Sequence, residues 1–212
     1  MKTTSSAKKN ILKKIKQALA TPVPLPFQEV ESGQIFFIND GNDPEVQFAE
    51  NFSALQGRFS FCSNETELVV QLQTLLSARQ WNKIFVNEVQ LKELLKKNGR
   101  EINMESGLAS CDASITTCEC LIARTGSIVL SSVQSGRTAS VYAPVHICIA
   151  YTNQLVFDIQ DGIDLLKKKY ISGFPSLVTF ASGPSRTADI EKTLVTGVHG
   201  PKEVFCFLVQ SS

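Results

Sequence analysis

A chain of 212 residues, 43% hydrophobic and 19% charged, can bury one sizeable core and lacks the charge excess of a disordered segment. No run approaches the roughly 20 apolar residues of a membrane-spanning helix, and the first residues lack the apolar stretch of a secretory signal, so a cytoplasmic address is expected. The formal net charge of +1 is unevenly spread: residues 1–28 hold six lysines and no acid, whereas the remainder carries 15 basic and 20 acidic residues.

Within the basic segment, Ile11, Leu12, Ile15 and Leu19 recur at helical spacing, which predicts an amphipathic helix over residues 7–20 with an apolar docking face and solvated lysines. No nucleic-acid role is expected of it. Pro22, Pro24 and Pro26 remove backbone donors and favour an extended segment, a linker or a strap over the body, so residues 1–28 are expected to be a basic helix and linker preceding a domain over 29–212. Ile35–Ile38 has the character of an edge strand. Asp43 and Pro44 are a cap and a first-turn residue for a helix reaching about Leu55. A strand at Arg58–Cys62 precedes a helix with Leu68, Leu72, Leu75 and Leu76 on one face. A strand at Lys83–Val86 and a helix over Glu88–Lys97 continue the alternation. The pattern predicts βαβ units, hence a single α/β domain with a mainly parallel sheet.

Beyond Ala113 the pattern shortens. Ala113–Thr116 is strand-like, and two apolar runs, Cys120–Ala123 and Ile128–Leu130, flank Thr125-Gly126-Ser127. A polar loop, Ser131–Ser140, contains Arg137. Val145–Ala150 and Gln154–Phe157 predict a hairpin around Thr152-Asn153, followed by a helix over Ile159–Lys169. Leu177–Ala181 and Val204–Val209 are apolar enough for buried strands, and between them the sequence predicts a polar loop, a short helix from about Thr187, and a second loop.

Candidate chemistry collects in those loops. A helix start at Ser185-Arg186-Thr187 would offer free N–H groups, two hydroxyls and a guanidinium to an anion. The same residues also suit plain capping, with Asp189 in the first turn and within reach of Arg186. His199 lies between Gly197 and Gly200-Pro201, where side chain and backbone can both approach a ligand; it is the candidate acid or base. His146, next to an apolar strand, also suits a structural hydrogen bond. Gly126, between the hydroxyls of Thr125 and Ser127, suits close backbone approach or a simple turn. Full dinucleotide, P-loop, serine-elbow and zinc-helix motifs are absent, and Cys111, Cys118 and Cys120 lack the spacing of zinc or cluster ligands. No cofactor or metal site is therefore expected, and the six cysteines are read as buried reduced thiols.

Taken together, Thr125–Leu130, Arg137, Pro144–Ile147, Gly183–Glu191 and Gly197–Pro201 resemble the LUD-domain family, in particular its short C-type lactate-utilization members. The resemblance runs from about residue 113 to 209. It implies a fold of the NagB/RpiA/CoA-transferase group. It also implies a non-redox place in a cytosolic system that oxidises L-lactate to pyruvate with iron–sulfur oxidoreductase subunits as partners, and a small anionic metabolite as ligand. The ligand residues implied are Thr125, Gly126, Ser127, Arg137, His146, Gly183, Ser185, Arg186, Thr187, Asp189, His199 and Gly200. Catalysis by the chain itself stays open, as do an isomerase, ligase or acyl/CoA-transferase activity, a pure assembly role and homo-oligomer formation. One departure stands out: many members carry an acid immediately before the Thr-Gly turn, where this chain has Arg124.

Overall fold

The computed structural model describes residues 6–20, 41, 43–98, 104, 107–188 and 194–211. The chain divides into Met1–Ile38 and Asn39–Ser212. In the first unit, α1 (Ser6–Leu19) is the basic helix, with Ile11, Leu12 and Ile15 exposed. The proline-rich stretch and Ile35–Ile38 lie outside the described residues.

The second unit begins with α2 (Pro44–Ala54), capped by Asp43, whose carboxylate accepts from the Glu45 N–H at 3.0 Å, while Pro44 occupies the first turn, where no donor is needed. Strand β1 (Arg58–Cys62) follows, then α3 (Glu65–Ala78), capped by Asn64 and burying Leu68, Leu72 and Leu76. Next come β2 (Ile84–Val86), α4 (Val89–Asn98) and β3 (Ala113–Thr117). Strands β4 (Cys120–Ile122) and β5 (Ser127–Ser131) pair antiparallel around Gly126. After them lie α5 (Ala139–Tyr142), β6 (Val145–Tyr151), β7 (Leu155–Val156), α6 (Ile159–Lys169), β8 (Val178–Ala181), β9 (Arg186–Ala188), β10 (Leu194–Thr196) and β11 (Glu203–Val209).

Two sheets form the centre. The first is parallel throughout, in the order β1-β11-β6-β3-β2. The second, β7-β4-β5-β8, mixes one parallel with two antiparallel pairings. Residues alternate between faces along β6 and β11. Val145, Ile147, Ile149, Phe205, Phe207 and Val209 pack with α3 and α4 on one side. Cys148, Ala150, Val204, Cys206 and Leu208 meet Leu121, Ile128 and Leu130 of the second sheet, with Phe48 and Phe52 of α2 in the same cluster. Cys120, Ile122 and Val129 face outward onto Leu166 of α6. The layers thus run helices, sheet, sheet, helix. Each fully buried Leu, Ile or Phe contributes roughly 1.5–3 kcal/mol, so the two strands buried on both faces anchor the domain.

The α/β class and the parallel sheet agree with the sequence reading, but three details differ. First, β6 and β7 do not form a hairpin. A strand covered on both faces belongs inside a parallel sheet, and the 3₁₀ turn at Thr152–Gln154 carries the chain across to the second sheet. Second, Leu177–Ala181 is not a buried strand: β8 is the edge of the second sheet, with Leu177 and Phe180 exposed. Third, no helix starts at Thr187. Residues 186–188 pair antiparallel with 194–196, and the residues between them, Asp189 included, lie outside the described set.

Candidate ligand-binding site

Two loops from the motif-rich end of the chain are stitched together. The Ser185 N–H donates to the Pro201 carbonyl at 2.9 Å, and the Gly197 N–H donates to the Ser185 carbonyl at 2.9 Å. Gly200 packs so closely that a Cβ there would lie 2.8 Å from the Ser185 Cβ. Between these loops, β8, α5 and the first residues of β6 and β11 lies a cleft of ≈ 250 Å³. His146, Gly183, Ser185, His199 and Gly200 all line it, as do Ser140, Thr179 and Ser182. The cleft opens beyond the amino ends of β6 and β11, not the carboxyl ends where ligands of open parallel sheets usually sit.

His146 is the best-defined polar group in it. The side chain is 1% exposed, its Nε2 lies 2.9 Å from the Thr116 hydroxyl on β3, and its Nδ1 has no partner. Burial pushes the imidazole down to about 4, so the ring is uncharged at neutral pH. The other buried side-chain atoms without a partner among the described residues, Gln73 Nε2 and Gln134 Oε1, belong to residues that do not line the cleft. His199 is exposed at the mouth. The hydroxyls of Thr125, Ser127 and Ser182 form a chain, 2.8 Å and then 2.7 Å, which links the Thr-Gly-Ser turn to the wall.

Several expected ligand residues have structural employment instead. Gly126 (φ +56°) approaches α2, not a ligand: a Cβ would lie 2.5 Å from the Phe52 nitrogen. Gly183 (φ +84°) leaves room for the Leu55 carbonyl, which a Cβ would meet at 2.3 Å. Arg186 donates to that same carbonyl at 2.8 Å. Leu55 caps the end of α2, where carbonyls lack helical partners and carry the negative end of the dipole, so a guanidinium there is favourable. With the helix start replaced by a hairpin, Ser185, Arg186 and Thr187 make no N-terminal anion site. Arg137 donates to Ser176 at 2.7 Å, away from the cleft lining. Arg124 pairs with Asp158, the cap of α6, at 2.6 Å.

A second polar cluster was not visible in the sequence. Glu119, whose side chain is 0% exposed, accepts from Lys169 at 2.7 Å, from Tyr170 at 2.7 Å and from Ser131. Burial alone would raise this carboxyl, but the three donors outweigh it and hold it below the usual range. Nearby, Glu88 accepts from the Thr117 N–H and hydroxyl, yet burial raises its carboxyl. Thr116, Ser140, Thr179 and Ser182 were missed as well. An alternating strand pattern marks Thr116 and Thr179 as facing the same way as their apolar neighbours two positions on; nothing in it says that a cavity lies there.

The family model described as LUD domain matches residues 46–209. Lactate utilization protein C of Deinococcus radiodurans is 35% identical over 48% of this chain and 48% of its own. Its counterpart in Bacillus subtilis is 35% identical over 46% of this chain and 42% of its own. An uncharacterized protein of Neisseria meningitidis is 39% identical over 44% of this chain and 40% of its own. These matches span less than half of each relative. A crystal structure of a DUF162 family protein from Deinococcus radiodurans superposes with a TM-score of 0.58 at 19% identity, covering 78% of this chain and 96% of that one, which supports the fold.

Proposed function

The chain belongs to the LUD-domain family, and on that premise we propose that it is a non-redox component of an L-lactate utilization system, one that binds a small anionic metabolite in the His146–His199 cleft and works beside iron–sulfur oxidoreductase subunits. The observation that carries the ligand reading is His146, a residue that lines an open cleft and whose buried Nδ1 has no partner. A buried polar atom in that state costs stability unless something else meets it. The names of the similar proteins support the pathway. The thiols support a non-redox role: all six cysteines are buried and free, and burial pushes Cys62 up to about 11 and Cys120 up to about 12, so neither is a ready thiolate ligand or nucleophile.

The described cleft lining includes no Lys or Arg. Sugar-phosphate and CoA chemistry usually relies on such cations, which makes the isomerase and CoA-transferase readings less economical. The test is genetic. A strain unable to grow on L-lactate because it lacks the related protein should recover when this chain is expressed, and the tagged chain should capture iron–sulfur subunits. Soluble, folded protein that fails to restore growth would count against the pathway assignment.

A further inference from the structure

Resting on the cleft reading above, we propose that His146 presents an Nδ1–H donor, fixed by Thr116, to the carboxylate of a small hydroxy- or oxo-acid, with the Ser140, Thr179 and Ser185 hydroxyls completing the site. Hydrogens and lone pairs decide the tautomer. Thr116 Oγ1 and His146 Nε2 lie 2.9 Å apart, both residues are buried, and Thr116 has no other side-chain partner. If Nε2 held the proton and donated, the Thr116 hydroxyl hydrogen would be stranded, and the bare Nδ1 lone pair with it. If Thr116 donates instead, the proton sits on Nδ1, and the one unmet donor belongs to His146, which lines the cleft, and not to Thr116, which does not. A buried unmet donor costs stability, and only the second arrangement leaves it where a ligand in the cleft can meet it.

A donor requires an acceptor. Ser140, Thr179 and Ser185 line the same cleft, and their hydroxyls make no hydrogen bond to any described residue. A carboxylate offers up to four lone-pair sites in one plane and strengthens each donor that meets it. A phosphate dianion would give up far more hydration and gain no full positive charge from the described lining. The cavity, ≈ 250 Å³, is smaller than the roughly 300–1,000 Å³ of drug-sized sites, which restricts the acid to a compact metabolite.

The experiment uses the full-length protein labelled with ¹⁵N-histidine, observed by long-range ¹H–¹⁵N NMR, then titrated separately with pyruvate, L-lactate and inorganic phosphate. The ligand-free spectrum should show the Nδ1–H form of His146. Pyruvate or L-lactate should shift the Nδ1 signal, while phosphate at equal concentration leaves it in place. Thr116→Val should mix the two tautomers and weaken acid binding about tenfold with the fold intact, as expected when a charge-assisted bond is lost. His146→Phe, which keeps a ring in the space, should abolish the shift in melting temperature produced by the same acids. An Nε2–H form in the free protein overturns the proposal, as does an Nδ1 signal that neither acid moves. A shift driven by phosphate in preference to the acids overturns the ligand class but leaves the cleft as a ligand site. The growth test is independent of all three outcomes.

Discussion

The cleft and the Glu119 cluster each set hydroxyls around a buried ionisable group, and they end in opposite states. Around Glu119 both carboxylate oxygens are engaged: Tyr170 and Ser131 donate to Oε1 and Lys169 donates to Oε2. Around His146 one bond is made, to Thr116, and the opposite nitrogen and three neighbouring hydroxyls have no protein partner. Folding satisfies the first cluster completely. It leaves the second unfinished, in the place where the chain also leaves a cavity. Buried polar groups normally find partners, so an unfinished set beside open space is the one that points to a ligand.

The contrast predicts that damage to the two clusters will be read by different instruments. The largest effect on stability belongs to Glu119→Ala. It removes three charge-assisted hydrogen bonds and strands Ser131, although Lys169, half exposed, regains water. The expected loss is about 4 kcal/mol, measured as a lower urea midpoint at unchanged slope. A loss below about 1 kcal/mol would mean that the cluster is not a structural lock. Binding of small acids to whatever remains folded should be unaffected.

Next comes pH. His146 titrates near 6.5 in an unfolded chain and at about 4 when folded. Below 6.5 the unfolded state therefore takes up a proton that the folded state refuses, so stability is fully present above 6.5 and declines as pH falls toward 4. The gap corresponds to about 3 kcal/mol by linkage. His146→Phe should flatten that part of the stability–pH curve relative to the parent. Parallel curves for the two proteins would show that His146 is not held uncharged by burial.

A smaller effect separates structure from ligand contact at Arg186. Its bond to the Leu55 carbonyl at the end of α2 is exposed, so Arg186→Ala should cost about 1 kcal/mol in chemical denaturation and leave acid binding unchanged. Weakened binding with unaltered stability would return this arginine to the ligand site that the sequence first suggested for it.

That reversal illustrates what the sequence could and could not convey. Helices α2, α3 and α6 were legible because caps and spacing are local: Asp43, Asn64 and Asp158 each cap a helix from within a few residues. The alternating βα order likewise pointed to a parallel sheet. The second sheet was not legible, because β7 pairs with β4 more than thirty residues upstream, and two residues of strand carry almost no pattern. The helix expected at Thr187 failed for a related reason. Ser, Thr and Asp favour caps and turns alike, and pairing with residues 194–196 decided between them. Of the residues expected at a site, His146, Gly183, Ser185, His199 and Gly200 line one cleft; Ser185 and His199 were picked out by local composition, whereas Gly183 and Gly200 came with the family resemblance. Thr116, Ser140, Thr179 and Ser182 join them only in space. Gly126 was read as a close approach to a bound group or as a simple turn, and what comes close in the fold is the backbone of α2.

The smallest expected effect on stability is the most discriminating for function. Ser140→Ala, Thr179→Val and Ser185→Ala each remove a hydroxyl that makes no bond within the described protein and keep a side chain of similar bulk. A group that contributes nothing to folding can be removed at little cost, so each variant should fall within about 0.5 kcal/mol of the parent, and the loss of a spare polar atom could slightly stabilise Ser140→Ala. If these hydroxyls await a carboxylate, the triple variant should bind pyruvate or L-lactate at least tenfold more weakly in calorimetry while melting at the parent temperature. If all three instead complete the fold through bonded water, stability drops and binding changes little. A structural cluster loses stability first and a ligand site loses affinity first, so the order of loss tells which of the two surrounds His146.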